Sequence, residues 1–242
     1  MQISIGNIIG GNSSAAGIPP VKDALHFDST YQDRVNLPYS FYTGVRTLST
    51  KFKPDITTDS TYPDEQLLAQ YLGGATYANR TVLFRFLNGI FAVYLNIGNY
   101  YTYLYSNAGV YFNAGQWYDA TITLGSVGGA RLYIDGILQS TFPYTGALQG
   151  NANAFWGGWD TGDNFNGTQK ELRAWTTERT PSEVVADITR VYTGSESGLK
   201  AYFPTNEGSG SDIEDINSVY TGSIVTTNPT PNYIDDVMWV VS

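Results

Sequence analysis

The residues best suited to chemistry lie in one glycine-rich stretch, FWGGWDTGDNFNG, at residues 155 to 167. An exposed indole ring can stack on a sugar while amide and carboxylate groups hydrogen-bond its hydroxyls, and carboxylates can also ligate calcium. The candidate glycan-binding set is Trp159, Asp160, Asn164 and Asn166. The alternative is a wide turn in which the aspartates only form Asx turns.

A second candidate sugar platform is the tyrosine-rich stretch NYYTYLY at residues 99 to 105. If this stretch is a strand, Tyr101, Tyr103 and Tyr105 project from one face, because alternate strand residues share a face. Tyr101 and Tyr103 are therefore added to the glycan candidates. The alternative is an ordinary packed sheet face.

The sequence does not predict catalysis. Retaining glycoside hydrolysis needs two carboxyl groups about 5 Å apart, which alternate positions on a strand can supply. Glu171 is followed on its own face by Arg173 and Trp175, so it has no carboxylate partner there. The single histidine, His26, has no serine or cysteine nucleophile beside it. We therefore expect a protein that is not an enzyme.

The composition excludes several further classes. The net charge is −9, which opposes binding to nucleic acid backbones or anionic membranes. There is no cysteine, so disulfides and thiolate metal sites are ruled out. No stretch approaches the roughly 20 apolar residues of a membrane span, and MQISIGNIIGG lacks the basic start of a secretory signal.

Local signals predict many short strands and one helix. The pairs Asn88-Gly89 and Asp135-Gly136 each separate two apolar runs and predict tight β-hairpins. Thr180, Pro181 and Glu183 predict a helix start with a capping box. The helix should pack on the sheets through one stripe, Val184, Val185, Ile188, Val191 and Tyr192. Three tryptophans are predicted to lie in the core: Trp117, Trp156 and Trp175.

The chain divides into three predicted segments. Residues 1–20 are rich in Gly, Ser, Ala and Pro and predict an extended arm, and residues 21–222 carry the strand signals. Residues 223–242 predict a linker and a last apolar strand, which pairs within this chain or against a neighbouring copy in a homo-oligomer. The linker signal itself runs from 221 to 231, where Thr, Asn and Pro dominate.

Five stretches, in order, resemble the laminin-G-like jelly rolls of the concanavalin A-like lectin and glucanase superfamily. They are ALHFDST, GQWYDATITL, ARLYIDGILQST, FNGTQKELRAWTTERTPSEV and GLKAYFPTNEGSG, which together span residues 21–222. The resemblance implies an all-β fold: a two-sheet antiparallel jelly-roll β-sandwich with one short α-helix. It implies less about function, because this fold hosts lectins, adhesion domains, pentraxins and glycanases.

The resemblance to pentraxins also implies a calcium site. YPDEQLLAQYLG is similar to their first ligand segment, at Asp64 and Glu65, and GGWDTGDNFNG to their loop segment, at Asp160 and Asp163. Their further Glu-Gln-Asp ligand run has no counterpart in SVGGARLYIDGILQSTFPYTG. Calcium takes six to eight oxygens, so this partial set predicts weak binding.

The arm and the expected lack of an export signal also resemble proteins displayed on bacteriophage particles. The arm's spaced isoleucines can add a strand to a neighbour's sheet edge. The preferred interpretation is a non-catalytic virion component (head fibre, decoration or tail protein) made in the host cytoplasm. Its residues 1–20 would contact other virion proteins, and its jelly roll would bind a glycan or cell-surface receptor. The alternative is a calcium-dependent carbohydrate-binding module, free-standing or on a bacterial cell surface.

Overall fold

The computed structural model describes residues 22–71, 80–97, 100–107, 110–125, 128–149, 153–159 and 163–242. The predicted arm, residues 1–20, and Asp160 lie outside these ranges. None of the helices within the described ranges is long and apolar enough to cross a membrane.

Two eight-stranded antiparallel sheets form a sandwich, which confirms the predicted fold class. Sheet A contains β1 (Ala24–Phe27), β3 (Thr47–Pro54), β8 (Tyr118–Leu124), β9 (Ala130–Ile134), β10 (Ile137–Phe142), β12 (Gly167–Trp175), β13 (Leu199–Phe203) and β16 (Trp239–Val240). Sheet B contains β2 (Arg34–Leu37), β4 (Glu65–Tyr71), β5 (Arg80–Leu87), β6 (Ile90–Ile97), β7 (Tyr100–Tyr105), β11 (Asn153–Trp156), β14 (Asp212–Glu214) and β15 (Thr221–Val225). The order across sheet A is β10-β9-β8-β3-β12-β1-β16, with β13 beside β12, and across sheet B it is β14-β15-β2-β11-β4-β5-β6-β7.

The core lies between the sheets and is rich in phenylalanine. The rings of Phe52 from sheet A and Phe91 from sheet B stack with centroids 5.3 Å apart, and Phe86 and Phe112 pack around them. Alternate residues of each strand point inward to this core, so the intervening residues form the two outer faces of the sandwich.

Both predicted hairpins are confirmed. Asn88 and Gly89 connect β5 to β6 with φ of 51° and 73°, and Asp135 and Gly136 connect β9 to β10 with φ of 49° and 75°. Positive φ at both turn residues is what a type I′ turn requires. A Cβ on Gly89 would also lie 1.9 Å from the carbonyl oxygen of Asp59, so this turn needs glycine.

The helix α1 (Pro181–Asp187) begins as predicted. The Thr180 side chain accepts a hydrogen bond from the Glu183 N–H, and the Glu183 carboxylate accepts one from the Thr180 N–H. The predicted apolar stripe is wrong in part: Val184 is buried, but Val185 is 55% exposed and Val191 is 87% exposed. The helix ends before Ile188, so the residues beyond it do not continue the 3.6-residue period.

The helix is instead held to sheet A by a buried ionic network. The Arg173 guanidinium on β12 contacts the Asp119 carboxylate on β8 and donates to the Asp187 carbonyl oxygen at 2.6 Å. Asp187 accepts two hydrogen bonds from Arg179, at 2.8 and 2.9 Å. These four residues are at most 8% exposed, so the network covers part of the outer face of sheet A.

The interpretation of residues 221 to 231 as a linker is wrong. β15 begins at Thr221 and pairs with β2 inside sheet B, so it crosses the predicted boundary at residue 222. The predicted last strand is confirmed, because β16 pairs with β1 of the same chain. Tyr233, Met238 and Trp239 are buried in the main core, which makes this C-terminal segment part of the sandwich.

The tryptophan predictions divide. Trp156 and Trp175 are buried, as expected. Trp117 is not in the core: it lies on the outer face of sheet A, partly exposed, with the Lys53 and Lys170 ammonium groups 5.0 and 4.8 Å from its ring centroid. Tyr118 pairs with Phe52 and both point into the core, so Trp117, one residue earlier, lies beside Lys53. Because neighbouring strand residues point to opposite faces, the Trp117 ring is turned outward.

Candidate functional site

The outer face of sheet B carries two of the candidate residues, Trp159 and Tyr103. Strands β15, β2, β11, β4, β5, β6 and β7 lie side by side, and their outward positions line up across the sheet. One such row is Ser223, Asn36, Phe155, Ala69, Leu83, Tyr94 and Tyr103. Its middle is apolar and its β2 end is polar.

A groove of about 670 Å³ opens at the polar end of this face. We call it the β2–β11 groove, and the side chains that matter in it are Arg34, Asn36, Tyr39, Ser40, Asn153 and Phe155. Its volume falls in the range of roughly 300 to 1,000 Å³ that is usual for small-molecule sites. The lining therefore combines aromatic rings with amide, hydroxyl and guanidinium groups.

Tyr39 is presented to the groove by a rigid turn. The turn Tyr39–Tyr42 follows Pro38, and its last two residues, Phe41 and Tyr42, are fully buried. Lys200 donates from its ammonium group to the carbonyl oxygens of Ser40 and Thr43, which closes the turn. Tyr39 remains 62% exposed, so its ring is available to a ligand.

Arg34 and Asn36 project from β2 because the intervening residues, Val35 and Leu37, point into the core. The Arg34 Nε donates to Asn36 Oδ1 at 3.2 Å, and its guanidinium carbon lies 6.0 Å from the Phe155 ring centroid. The side chains are thus held in a defined arrangement that presents a planar cation beside an amide.

The described parts of the predicted loop, residues 155–159 and 163–167, pack against the rest of the sandwich. Gly157 has φ of 86°, and a Cβ there would lie 2.2 Å from the Phe27 ring. A Cβ on Gly158 would lie 2.3 Å from the Asn164 side chain. The two glycines therefore permit a close approach that any larger residue would block.

Trp159 was expected to be exposed, and this is wrong. Its side chain is only 7% exposed and packs in a cluster on the outer face of sheet B. The cluster consists of Ala69, Leu83, Tyr94, Phe155 and Trp159, with Tyr103 packed against it. A ring so covered offers little surface on which a sugar could stack. The burial of Trp159 therefore argues against its predicted contact with a glycan.

Asn164 serves the loop itself. It is fully buried, its Oδ1 accepts from the Trp159 N–H at 2.9 Å, and its Nδ2 donates to the Asp33 carbonyl oxygen at 3.2 Å. Asn166 is partly exposed, and its N–H donates to Glu65 Oε2 at 3.1 Å. The expectation that the Asn164 amide is exposed to a ligand is therefore wrong. Both of its polar atoms bond the protein, so this side chain stabilises the loop.

Of the tyrosines on β7, Tyr103 packs against Tyr94 with ring centroids 5.0 Å apart and stacks on Tyr105 at 5.6 Å. Tyr105 is 42% exposed, whereas Tyr103 is partly buried. The side chain of Tyr101 lies outside the described residues. The structure thus brings Tyr103 and Trp159 into one cluster, which shares Phe155 with the β2–β11 groove.

The two segments of the predicted calcium site do meet. The Gln66 N–H donates to the Asp163 carbonyl oxygen at 2.6 Å, and the Gly157 N–H donates to that of Leu67 at 2.7 Å. Of their described acidic side chains, Asp64 is ion-paired with Arg85 at 2.8 Å and Glu65 is buried. Among the described residues, no group of three or more His, Cys, Asp or Glu side chains is placed to hold a metal ion.

The environment of Glu65 also does not suit a calcium ligand. Its Oε2 accepts from the Tyr62 hydroxyl at 2.7 Å and from the Asn166 N–H. Burial raises the pKa of Glu65 to about 7, against the lowering effect of these two hydrogen bonds. A carboxyl group that is partly protonated at neutral pH and already bonded is a poor oxygen donor to a cation. Asp64, ion-paired with Arg85, and the buried Glu65 are therefore poorly suited to act as the predicted calcium ligands.

The acid and base candidates for catalysis are engaged in pairs. Glu171 occupies a bulge in β12 with φ of 55° and is ion-paired with Lys51 at 2.7 Å. His26 contacts Asp55 at 2.8 Å, and the hydrogen bond to Asp55 raises the pKa of this histidine. Neither pair provides the two neighbouring carboxyl groups that glycoside hydrolysis requires.

Sequence reasoning missed the β2–β11 groove. The signal was present in RVNLPYS, where alternation places Arg34 and Asn36 on one face and Pro38 introduces a turn. The other wall comes from Asn153 and Phe155, whose pairing with β2 is not visible in the local sequence.

Comparison with known proteins agrees with this architecture. A laminin G family model, described as concanavalin A-like lectin/glucanases superfamily, matches residues 32–185. No curated protein sequence matches the chain. The fold resembles a candidate carbohydrate binding protein from Bacteroides ovatus with a TM-score of 0.63 at 16% identity, covering 85% of this chain and 58% of that one. This chain thus spans little more than half of that protein's length.

Two further solved structures are similar. The CBM40 of Ruminococcus gnavus IT-sialidase, bound to α2,3-sialyllactose, matches with a TM-score of 0.50 at 13% identity over 69% of this chain and 96% of its own. A heptameric SAP-like pentraxin from Limulus polyphemus matches with a TM-score of 0.48 at 12% identity over 87% and 98%. At these identities the likeness concerns the fold. Since the family model covers well over half of its length, the chain belongs to the concanavalin A-like lectin/glucanases superfamily.

Proposed function

We propose that this chain is a non-catalytic carbohydrate-binding domain whose ligand lies in the β2–β11 groove. The observation that carries the proposal is the exposed Tyr39 ring held over a groove lined by Asn36, Asn153 and Arg34. Aromatic faces stack on the apolar faces of sugars, and planar amide and guanidinium groups bond their hydroxyls in defined directions. The groove supplies both kinds of contact.

The fold relatives support a binding role. The Bacteroides ovatus structure is described as a candidate carbohydrate binding protein, and the Ruminococcus gnavus domain holds a sialylated sugar. Both favour the carbohydrate-binding module that the sequence left as the alternative. The virion role and location stay a prediction, since residues 1–20 lie outside the described residues and none of the similar proteins bears on them.

A glycan array followed by calorimetry tests this function. Tyr39→Ala should weaken binding of any retained glycan by about two- to tenfold, since one stacked ring contributes roughly 0.5–1.5 kcal/mol. The matched control is Tyr111→Ala, which removes a 44% exposed tyrosine that does not line the groove. Its affinity should equal that of the unsubstituted protein.

The array is run in calcium and in EDTA, because Asp160 lies outside the described residues. Binding that survives Tyr39→Ala and requires calcium would place the ligand at the 155 to 167 loop and overturn the groove. Failure of every glycan to bind would overturn the carbohydrate function itself.

A further inference from the structure

We propose that the β2–β11 groove selects sugars that carry a carboxylate, a uronic or sialic acid unit, with Arg34 as the residue that receives it. This inference rests on the proposed function and specifies the chemical class of its ligand.

The charge of the groove differs from that of the whole chain. The protein has 22 acidic and 13 basic residues, yet no aspartate or glutamate lines the groove, and Arg34 is its one charged lining residue. Lys200 adds a second cation behind the turn, where it bonds the carbonyl oxygen of the lining residue Ser40. Asp212 lies two strands away, on β14, with its carboxylate bonded by Ser223. The groove is therefore locally positive on an acidic protein.

Arg34 differs from most arginines in the described part of the chain. Those with an acidic partner within 4 Å are Arg85, Arg131, Arg173, Arg179 and Arg190. Arg34 donates only to neutral acceptors, Asn36 Oδ1 at 3.2 Å and the Gln32 carbonyl oxygen at 3.2 Å. Arg46 likewise bonds only carbonyl oxygens, but it does not line the groove.

The geometry suits a carboxylate better than a lone hydroxyl. Two of the five guanidinium N–H donors of Arg34 are used by the described residues, which leaves the Nη2 side for a ligand. The guanidinium plane is fixed by those bonds and by its place near the Phe155 ring. The Nη2 N–H groups can donate to a carboxylate oxygen, and such charge-assisted bonds are about twice as strong as neutral ones. Tyr39, Asn36 and Asn153 then contact the rest of the sugar.

The test compares ligands that differ only in charge. Oligogalacturonate and sialyllactose are each measured against their own methyl esters, so that the two arms separate uronate from sialate recognition. The protein should bind at least one acid about tenfold more tightly than its neutral counterpart, with the preference falling as salt rises.

Arg34→Gln should remove that preference, so that the acid and its neutral counterpart bind with equal affinity. Arg34→Lys keeps the positive charge but loses the planar guanidinium group, so this variant should retain only part of the preference for the acid. The control Arg46→Gln makes the same change in net charge outside the groove and should retain all of it. Unchanged melting temperatures show that each variant is folded.

The outcomes separate the two proposals. Equal affinity for acid and neutral sugars, with Tyr39→Ala still weakening both, would overturn the carboxylate inference and keep the carbohydrate function. A preference for acids that survives Arg34→Gln would also overturn it. Sugar binding that is indifferent to Tyr39→Ala would overturn the groove as the binding site.

Discussion

The two sheets of this sandwich use polar side chains on their outer faces in opposite ways. On the outer side of sheet A, Arg173 is buried and bonds both Asp119 of β8 and Asp187 of α1. On sheet B, Arg34 and Asn36 stand in an open groove and contact each other through one of several possible bonds. The first set is saturated by the protein, whereas the second keeps bonding capacity for a ligand.

This difference separates structural from functional polar groups better than residue type does. Asn164 and Asn36 are both asparagines on the sheet B side of the molecule, but Asn164 is buried with both side-chain atoms bonded, and Asn36 is exposed. A buried polar group needs its internal partners to repay desolvation, so its substitution should cost stability. An exposed group in a groove should affect binding instead.

The largest effect on stability is expected from Asp119→Ala. It leaves the Arg173 guanidinium buried without its carboxylate, which should lower the free energy of unfolding by about 3–5 kcal/mol. The control is Glu178→Ala, which breaks the 2.8 Å pair with Arg131, both of whose side chains are about a quarter exposed. Urea denaturation should show about 0–1 kcal/mol for that variant. Equal losses in the two variants would mean that burial of the network does not set its importance.

Glu65→Gln should alter the dependence of stability on pH. The pKa of Glu65 is raised from 4.5 to about 7 in the fold, so the folded state retains a proton that the unfolded state releases between these values. Stability from this group is complete below pH 4.5, declines as the pH rises to 7, and is about 3 kcal/mol lower above it. The free energy of unfolding of the variant minus that of the unsubstituted protein should therefore be up to about 3 kcal/mol larger at pH 8 than at pH 4.

Measuring both pH values cancels any cost of the amide that does not depend on pH. If the difference between the variant and the unsubstituted protein is the same at pH 4 and pH 8, the carboxyl of Glu65 is not held protonated by the fold.

The smallest effect on stability is expected in the groove. Tyr39→Ala and Asn36→Ala should each change the free energy of unfolding by less than about 0.5 kcal/mol, because both side chains are exposed. The same urea titration measures this. A loss above 1 kcal/mol for Tyr39→Ala would show that its ring stabilises the fold, and any loss of sugar binding could then not be assigned to contact with the ligand.

Features set by neighbouring residues were predictable from the sequence. The turns at Asn88-Gly89 and Asp135-Gly136 depend on backbone φ at two adjacent positions, and the start of α1 depends on residues three apart. Local requirements of this kind are met by few residue types, which can be recognised in the sequence. Many such signals in a row predicted short strands joined by turns, and the two-sheet jelly roll was implied by the resemblance to laminin-G-like domains.

Features set by distant residues were not predictable. Trp159 follows a glycine pair that suggested exposure, but its burial depends on Ala69, Leu83 and Tyr94, which come from three other strands. Trp117 was predicted to lie in the core, and the pairing of β8 with β3 turns it toward Lys53 on the outer face. The groove required the pairing of β2 with β11, so only half of its lining had a local signature.

The most direct test of the central claim is to map a bound oligosaccharide by amide chemical shifts in the ¹⁵N-labelled protein, using a glycan retained by the array. The largest shifts are predicted at Arg34, Asn36, Tyr39, Ser40 and Asn153, with little change at Trp117 and Lys170 on sheet A. Shifts concentrated on sheet A, or at residues 163 to 166 with none in the groove, would contradict the account.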